Sequence, residues 1–122
     1  MMITIAVADF NKTYCQGLKT LLEQVEGFEV VLLSESDFRP EVITKLSIDI
    51  LLVDEDIYQA CKSGIGDPGS LWPAASTIVL TMDHDVIGFP EREVTVIFKG
   101  SDKREFSEMI QKQMLTPQKI LR

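Results

Sequence analysis

Five short apolar runs punctuate the chain: Met2–Ala8, Phe28–Leu33, Ile48–Val53, Ser76–Met82 and Val94–Phe98. They are rich in β-branched residues and mostly continuous rather than alternating, which predicts strands covered on both faces. After the first run, Asn11 offers a helix N-cap. Tyr14, Leu18, Leu21, Leu22 and Val25 follow at helical spacing, and Gly27 is the stop. After the second, Pro40 stands where a helix can begin, with Val42, Ile43 and Leu46 as its short apolar face. After the fifth, Ser101 or Asp102 caps a last helix whose Phe106, Met109, Ile110 and Met114 turn inward, and Glu105 is placed for a capping box.

Two connections break this rhythm. Residues 62–76 are loaded with Gly and Pro, so any helix after the third strand is short, and Gly88 and Pro90 leave little room for a fourth helix within 83–93. Strands alternating with helices predict an α/β domain with a parallel sheet. Five strands in a chain of this size fit the flavodoxin-like, doubly wound order 2-1-3-4-5, with degenerate third and fourth helices. The domain is expected to span 1–115. Thr116 and Pro117 have the N-cap and first-position chemistry of another helix beginning at the C-terminal end.

At 122 residues the chain has room for one core. Its net charge of −7 argues against a broad surface for nucleic acid or anionic membrane. No apolar run approaches the roughly 20 residues of a membrane span. The first ten residues lack basic residues before the apolar run and read as a strand, not a signal peptide. Cys15 and Cys61 have no metal-ligand spacing and read as reduced thiols of a cytoplasmic protein, a disulfide between them being the alternative. His84 reads as a solvent-facing loop residue and Trp72 as a hydrophobic cover over the sheet.

The third strand changes the picture, because Ile50–Val53 runs straight into Asp54, Glu55 and Asp56. In the order 2-1-3-4-5 the first and third strands are neighbours, and the crevice between their C-terminal ends is where such sheets bind ligands. Asp9 ends the first strand, Asp54 the third, Thr81 the fourth and Lys99 the fifth, so all four reach one rim. Crowded acids stay ionised only beside a cation, and oxygen-only ligands at an open rim suit Mg²⁺. A carboxylate nucleophile with Mg²⁺, a hydroxyl and a lysine can accept and hold a phosphoryl group. Taken singly, each of these residues is ordinary; their order on four successive strand ends is not.

These residues give the chain a resemblance, over Met2 to about Leu115, to the receiver domain of bacterial two-component response regulators. "ITIAVADFNKTYCQGLKTLLEQVEGFEVVLLSES" looks most like the NarL/LuxR class of transcription regulators. "IDILLVDED" resembles the strand bearing the phospho-accepting aspartate, "TIVLTM" the strand with the switch hydroxyl and "VIFKG" the strand with the lysine. The match implies that Asp54 is the phosphoacceptor, Thr81 the hydroxyl that senses the phosphoryl group and Lys99 its charge partner. It also implies Asp9, Asp54 and the carbonyl of Asp56 as a weak Mg²⁺ set, since Phe10 stands where the family has its second acid. Val96 stands where the family has a switch aromatic. The resemblance therefore implies an atypical receiver, with the scaffold retained and the switch partly dismantled.

Three functions follow from this pattern. The first is a non-enzymatic signal-input and dimerisation domain of a LuxR-type regulator, acting through protein–protein contacts with a second copy, a sensor kinase or a partner regulator. DNA would be met only through a further domain introduced by a linker at 116–122. Association is expected through an apolar helix face, either Tyr14, Leu18 and Leu21 or Phe106, Met109 and Ile110. The second is a conventional Mg²⁺-dependent receiver phosphorylated at Asp54, with Glu55 or water replacing the lost acid. The third is a haloacid dehalogenase-like phosphatase, which "ILLVDEDIY" also fits. Against it, "KGSDKREF" supplies Asp102 and Glu105 only at a helix start.

Overall fold

Continuous apolar runs become strands here because each finds a neighbour on both sides or a helix above it. In the computed structural model, which describes residues 2–34, 45–59, 76–82 and 95–115, the strands are β1 (Ile3–Ala8), β2 (Phe28–Leu32), β3 (Ile50–Asp54), β4 (Ser76–Thr81) and β5 (Thr95–Phe98). They form one parallel sheet in the order β2-β1-β3-β4-β5. The first helix spans Lys12–Leu22 and the C-terminal helix Lys103–Leu115. A further helical turn at 55–59 follows β3. The fold is the doubly wound, flavodoxin-like one that the apolar pattern predicts.

Alternation of side chains along each strand splits the core in two. Ile5, Val7, Ile50, Leu52, Ile78, Leu80 and Ile97 meet Cys15, Leu18 and Leu22 of the first helix and Phe106 and Ile110 of the C-terminal helix. Ala6, Ala8, Leu51, Val53 and Val79 point to the opposite face, where they join Leu33, Ile48, Ile57 and Tyr58. β1 and β3 are thus buried on both faces, as their unbroken apolar character requires.

Both helix starts follow the side-chain chemistry of their caps. The Asn11 side chain accepts the Tyr14 N–H at 3.0 Å. At the C-terminal helix Asp102 and Glu105 exchange hydrogen bonds: the Glu105 N–H donates to Asp102 Oδ1 at 2.9 Å, and the Asp102 N–H to Glu105 Oε1 at 3.0 Å. The first helix ends at Leu22 with Glu23 as its C-cap, earlier than Gly27. Gly27 instead sits at φ 93° in the turn that enters β2, where a side chain would be strained. Glu23 then does a second job: Oε2 accepts from Lys19 Nζ at 2.8 Å and from the N–H of Val30 at 3.2 Å, linking the helix to the edge strand.

The lower end of the sheet is closed by a side chain. Asp49 Oδ2 accepts the Thr4 N–H, its own N–H donates to the Thr4 carbonyl, and its carbonyl accepts from Ser76. Regular pairing of β3 therefore starts at Ile50, two residues later than the apolar run suggests, although Ile48 remains buried.

Several expectations are corrected. Leu46 lies in a turn and is exposed, not on an inward helix face. Met114 is exposed as well, because Gln113 already meets Thr95, the first residue of β5, and the helix has reached the edge of the sheet. The two helix faces expected to mediate association are committed to the core: Leu18, Phe106 and Ile110 are buried, and Tyr14, Leu21 and Met109 are partly so. The helix expected from Pro40 with Val42 and Ile43, the degenerate segments within 62–75 and 83–93, Cys61, Trp72, His84, Val94 and the linker at 116–122 lie outside the described residues.

Phe106→Ala removes a wholly buried ring from between the C-terminal helix and the sheet, and is expected to cost about 3–5 kcal/mol in urea unfolding. Met114→Ala, about two turns further on and exposed, is expected to stay within about 0.5 kcal/mol of the parent. Similar losses from the two variants would mean that the helix buries a different face.

Candidate functional site

Strand register assembles the rim. Ala8 pairs with Val53, so the next residues, Asp9 and Asp54, emerge side by side; Thr81 pairs with Phe98, so Lys99 emerges beside Thr81. The Lys99 N–H donates to the Thr81 carbonyl at 2.8 Å, and Ser101 turns back onto the Phe98 carbonyl. Gly100 suits that turn, since a Cβ there would press on the Phe98 ring. Lys99 is further fixed from the first helix. The Tyr14 hydroxyl donates to the Lys99 carbonyl at 3.3 Å, and the ammonium sits 5.3 Å from the Tyr14 ring centroid, within range of a cation–π attraction.

The ammonium of Lys99 bridges the two acids, 2.6 Å from Asp9 Oδ2 and 2.6 Å from Asp54 Oδ1. Asp9, Asp54 and Thr81 are all buried. The remaining carboxylate oxygens are held by backbone: Asp9 Oδ1 accepts from the Asn11 N–H and Asp54 Oδ2 from the Asp56 N–H, both at 2.9 Å. Asp9 Oδ2 itself accepts no well-directed hydrogen bond, so its partnership with Lys99 is one of charge. Burial pulls the Lys99 ammonium toward deprotonation, but the hydrogen bond to Asp54 and the charges of Asp54 and Asp9 outweigh it and hold the group above the ordinary lysine value. Burial, then the Asp9 charge, pushes the Tyr14 phenol well above its usual range. The same two causes raise the Cys15 thiol, which is unbridged and donates to the Asp9 carbonyl at 3.4 Å.

Thus Asp9, Asp54, Thr81 and Lys99 share one rim, which the backbone of Asp56 reaches through its N–H to Asp54, while Phe10 and Val96 differ from them. Phe10 is 59% exposed and points no oxygen at the acids. The Asp56 side chain is exposed. Val96 packs against the core on the face of Val79, with which it pairs. For Mg²⁺ the donor set is thin. Both buried carboxylates already share one ammonium, and among the described residues no three His, Cys, Asp or Glu side chains converge as a metal site.

Two participants were not legible as such in the sequence. One is Tyr14, whose helical spacing marks it only as core. The other is Glu55, the first residue past β3, whose Oε1 accepts the Thr81 hydroxyl at 2.8 Å. The helical turn at 55–59 aims Glu55 across to β4, and no spacing rule for strands announces that turn.

Solved structures of similar shape include response regulators and a pilus assembly protein. A response regulator from Thermotoga maritima superposes with a TM-score of 0.71 at 23% identity, covering 94% of this chain and 99% of its own. A pilus assembly protein from Burkholderia thailandensis gives 0.70 at 18% identity, over 93% and 99%. A response regulator receiver domain protein from Bacillus halodurans gives 0.60 at 18% identity, over 93% and 97%. At these identities the likeness is one of fold. No protein-family model and no curated protein sequence matches the chain.

Lys99→Met leaves two buried carboxylates side by side with no counter-ion, and is expected to cost about 3 kcal/mol in chemical denaturation. Asp54→Ala is expected to cost clearly less, because Lys99 keeps Asp9. The sign of the pH effect follows from the raised Lys99 value. Its contribution is complete below the unfolded lysine value of 10.5 and is lost as pH rises through the higher folded one. On the alkaline side, the stability gap between parent and Lys99→Met is therefore expected to narrow only above about pH 10.5. A gap that closes between pH 6 and 9 would assign the effect to another group.

Proposed function

We propose that the chain is an atypical receiver: the signal-input and dimerisation domain of a bacterial response regulator of the LuxR type, cytoplasmic and without enzymatic activity. The observation that carries this reading is the Lys99 bridge between Asp9 and Asp54 beside an exposed Phe10. The phosphoacceptor candidate Asp54, the hydroxyl of Thr81 and the lysine stand at one rim, as a receiver requires. The second acid that would complete a metal site is a phenyl ring. Mg²⁺, when bound, would supply charge neutralisation for an entering phosphoryl group. Asp9 and Asp54 would hold it with the Asp56 carbonyl, more weakly than a site with the extra carboxylate. Val96 has no ring to bury or expose in response to Thr81, so the reading makes association constitutive and not phosphorylation-driven. Partners in this reading are a second copy and a sensor kinase or partner regulator, with DNA contacted only by another domain.

A conventional receiver phosphorylated at Asp54 is the second reading, favoured by the retention of Asp54, Thr81 and Lys99 together. Part in pilus assembly is a role that the likeness to the Burkholderia protein brings within the same fold.

Sedimentation with and without acetyl phosphate and Mg²⁺ separates the first two. The mass of the particle is expected to be the same in both conditions, whereas a phosphodonor-dependent shift would establish the conventional switch. In calorimetry, Phe10→Asp is expected to tighten Mg²⁺ binding about tenfold, equivalent to ~1.4 kcal/mol. Tight Mg²⁺ binding by the parent, equal to that of Phe10→Asp, would defeat the atypical reading.

A further inference from the structure

We infer that Glu55 is an intramolecular anion that occupies the Thr81 hydroxyl and closes the strand-end crevice to an oxyanion from outside. The inference rests on the proposed reading that phosphorylation does not drive this domain. An oxyanion arriving at Asp54 needs hydrogen-bond donors, and the donors of this rim already have acceptors within the chain. The Lys99 ammonium holds two carboxylates, and the N–H groups of Asn11 and Asp56 hold one carboxylate oxygen each. The hydroxyl of Thr81 donates to Glu55 Oε1 at 2.8 Å, a charge-assisted bond of the stronger kind.

Glu55 differs from the other acids in how it is held. Asp9 and Asp54 are strand-end residues buried against the core, whereas Glu55 is half-buried on the first residue of the turn at 55–59. Asp9 and Asp54 are neutralised in part by the ammonium between them. Glu55 adds a third carboxylate beside them, so the four groups named here sum to −2 against any approaching anion. Its removal both takes the Glu55 acceptor from the hydroxyl and lowers the local charge to −1. Each change favours an oxyanion at the same place. Glu55 is thus a positioning residue, setting where the Thr81 hydroxyl points and what it is free to bind.

The probe is beryllium fluoride with Mg²⁺, followed by the NMR amide resonances of Thr81, Met82 and Lys99. Phe10→Asp is compared with Phe10→Asp/Glu55→Ala, so that both carry the additional carboxylate for the metal. The double variant is expected to saturate at a beryllium fluoride concentration at least tenfold lower. Addition of Thr81→Ala to it should remove the share of that gain owed to the hydroxyl and leave only the share owed to charge, and Phe10→Asp/Glu55→Gln, which keeps the shape without the charge, should fall between. Equal affinity with and without Glu55, or binding by neither in proteins whose spectra show them folded, would overturn the role of Glu55. The parent chain with acetyl phosphate reports separately on the functional reading. Phosphorylation of parent Asp54 would sink that reading, while the comparison of the variants still decides the part played by Glu55.

Discussion

One ammonium holds the C-terminal edge of this sheet together. Lys99 lies 2.6 Å from a carboxylate on β1 and 2.6 Å from another on β3. Two buried acids on adjacent strands repel each other, and no other cation among the described ion pairs reaches them. The strands can bring Asp9 and Asp54 together only because β5 delivers its lysine to the same rim. The surrounding features serve that delivery: Gly100 suits the turn, Thr81 fixes the Lys99 backbone, and Tyr14 holds it from the first helix.

A pattern of apolar residues reveals this much of the design for a physical reason. Strands buried on both faces must be continuously apolar, so β1 and β3 announce themselves, and parallel register then places whatever follows them at a common edge. The caps were equally readable, because Asn11 and the Asp102–Glu105 pair act through bonds within one helical turn. What escaped sequence reading was decided by distance in space. Met114 keeps the helical spacing of Phe106 and Ile110 but outruns the sheet. Leu46 is apolar yet lies in a turn. Glu55 was considered only as a substitute for the lost acid, and its bond to Thr81 came from the turn after β3.

The rim is therefore a balance of internal partners. Asp9, Asp54 and Glu55 are acceptors, Lys99 and Thr81 are donors, and each donor has its acceptor inside the chain. A site arranged this way is settled in its resting form. Any group entering it from outside competes with a partner already in place, and the strength of that competition, more than the identity of the strand-end residues, sets its chemistry.

The contact between Tyr14 and Lys99 spans 85 positions of sequence, and this bears on how the molecule comes into being. During synthesis β1 and β3 emerge long before β5, so their acids must wait for their counter-ion. An N-terminal fragment ending before Lys99 would have to bury two like charges to make the central strand pair. Contacts so distant along the chain slow folding and tie its parts into one transition. The sheet has no comfortable halfway state: its centre is completed by its last strand.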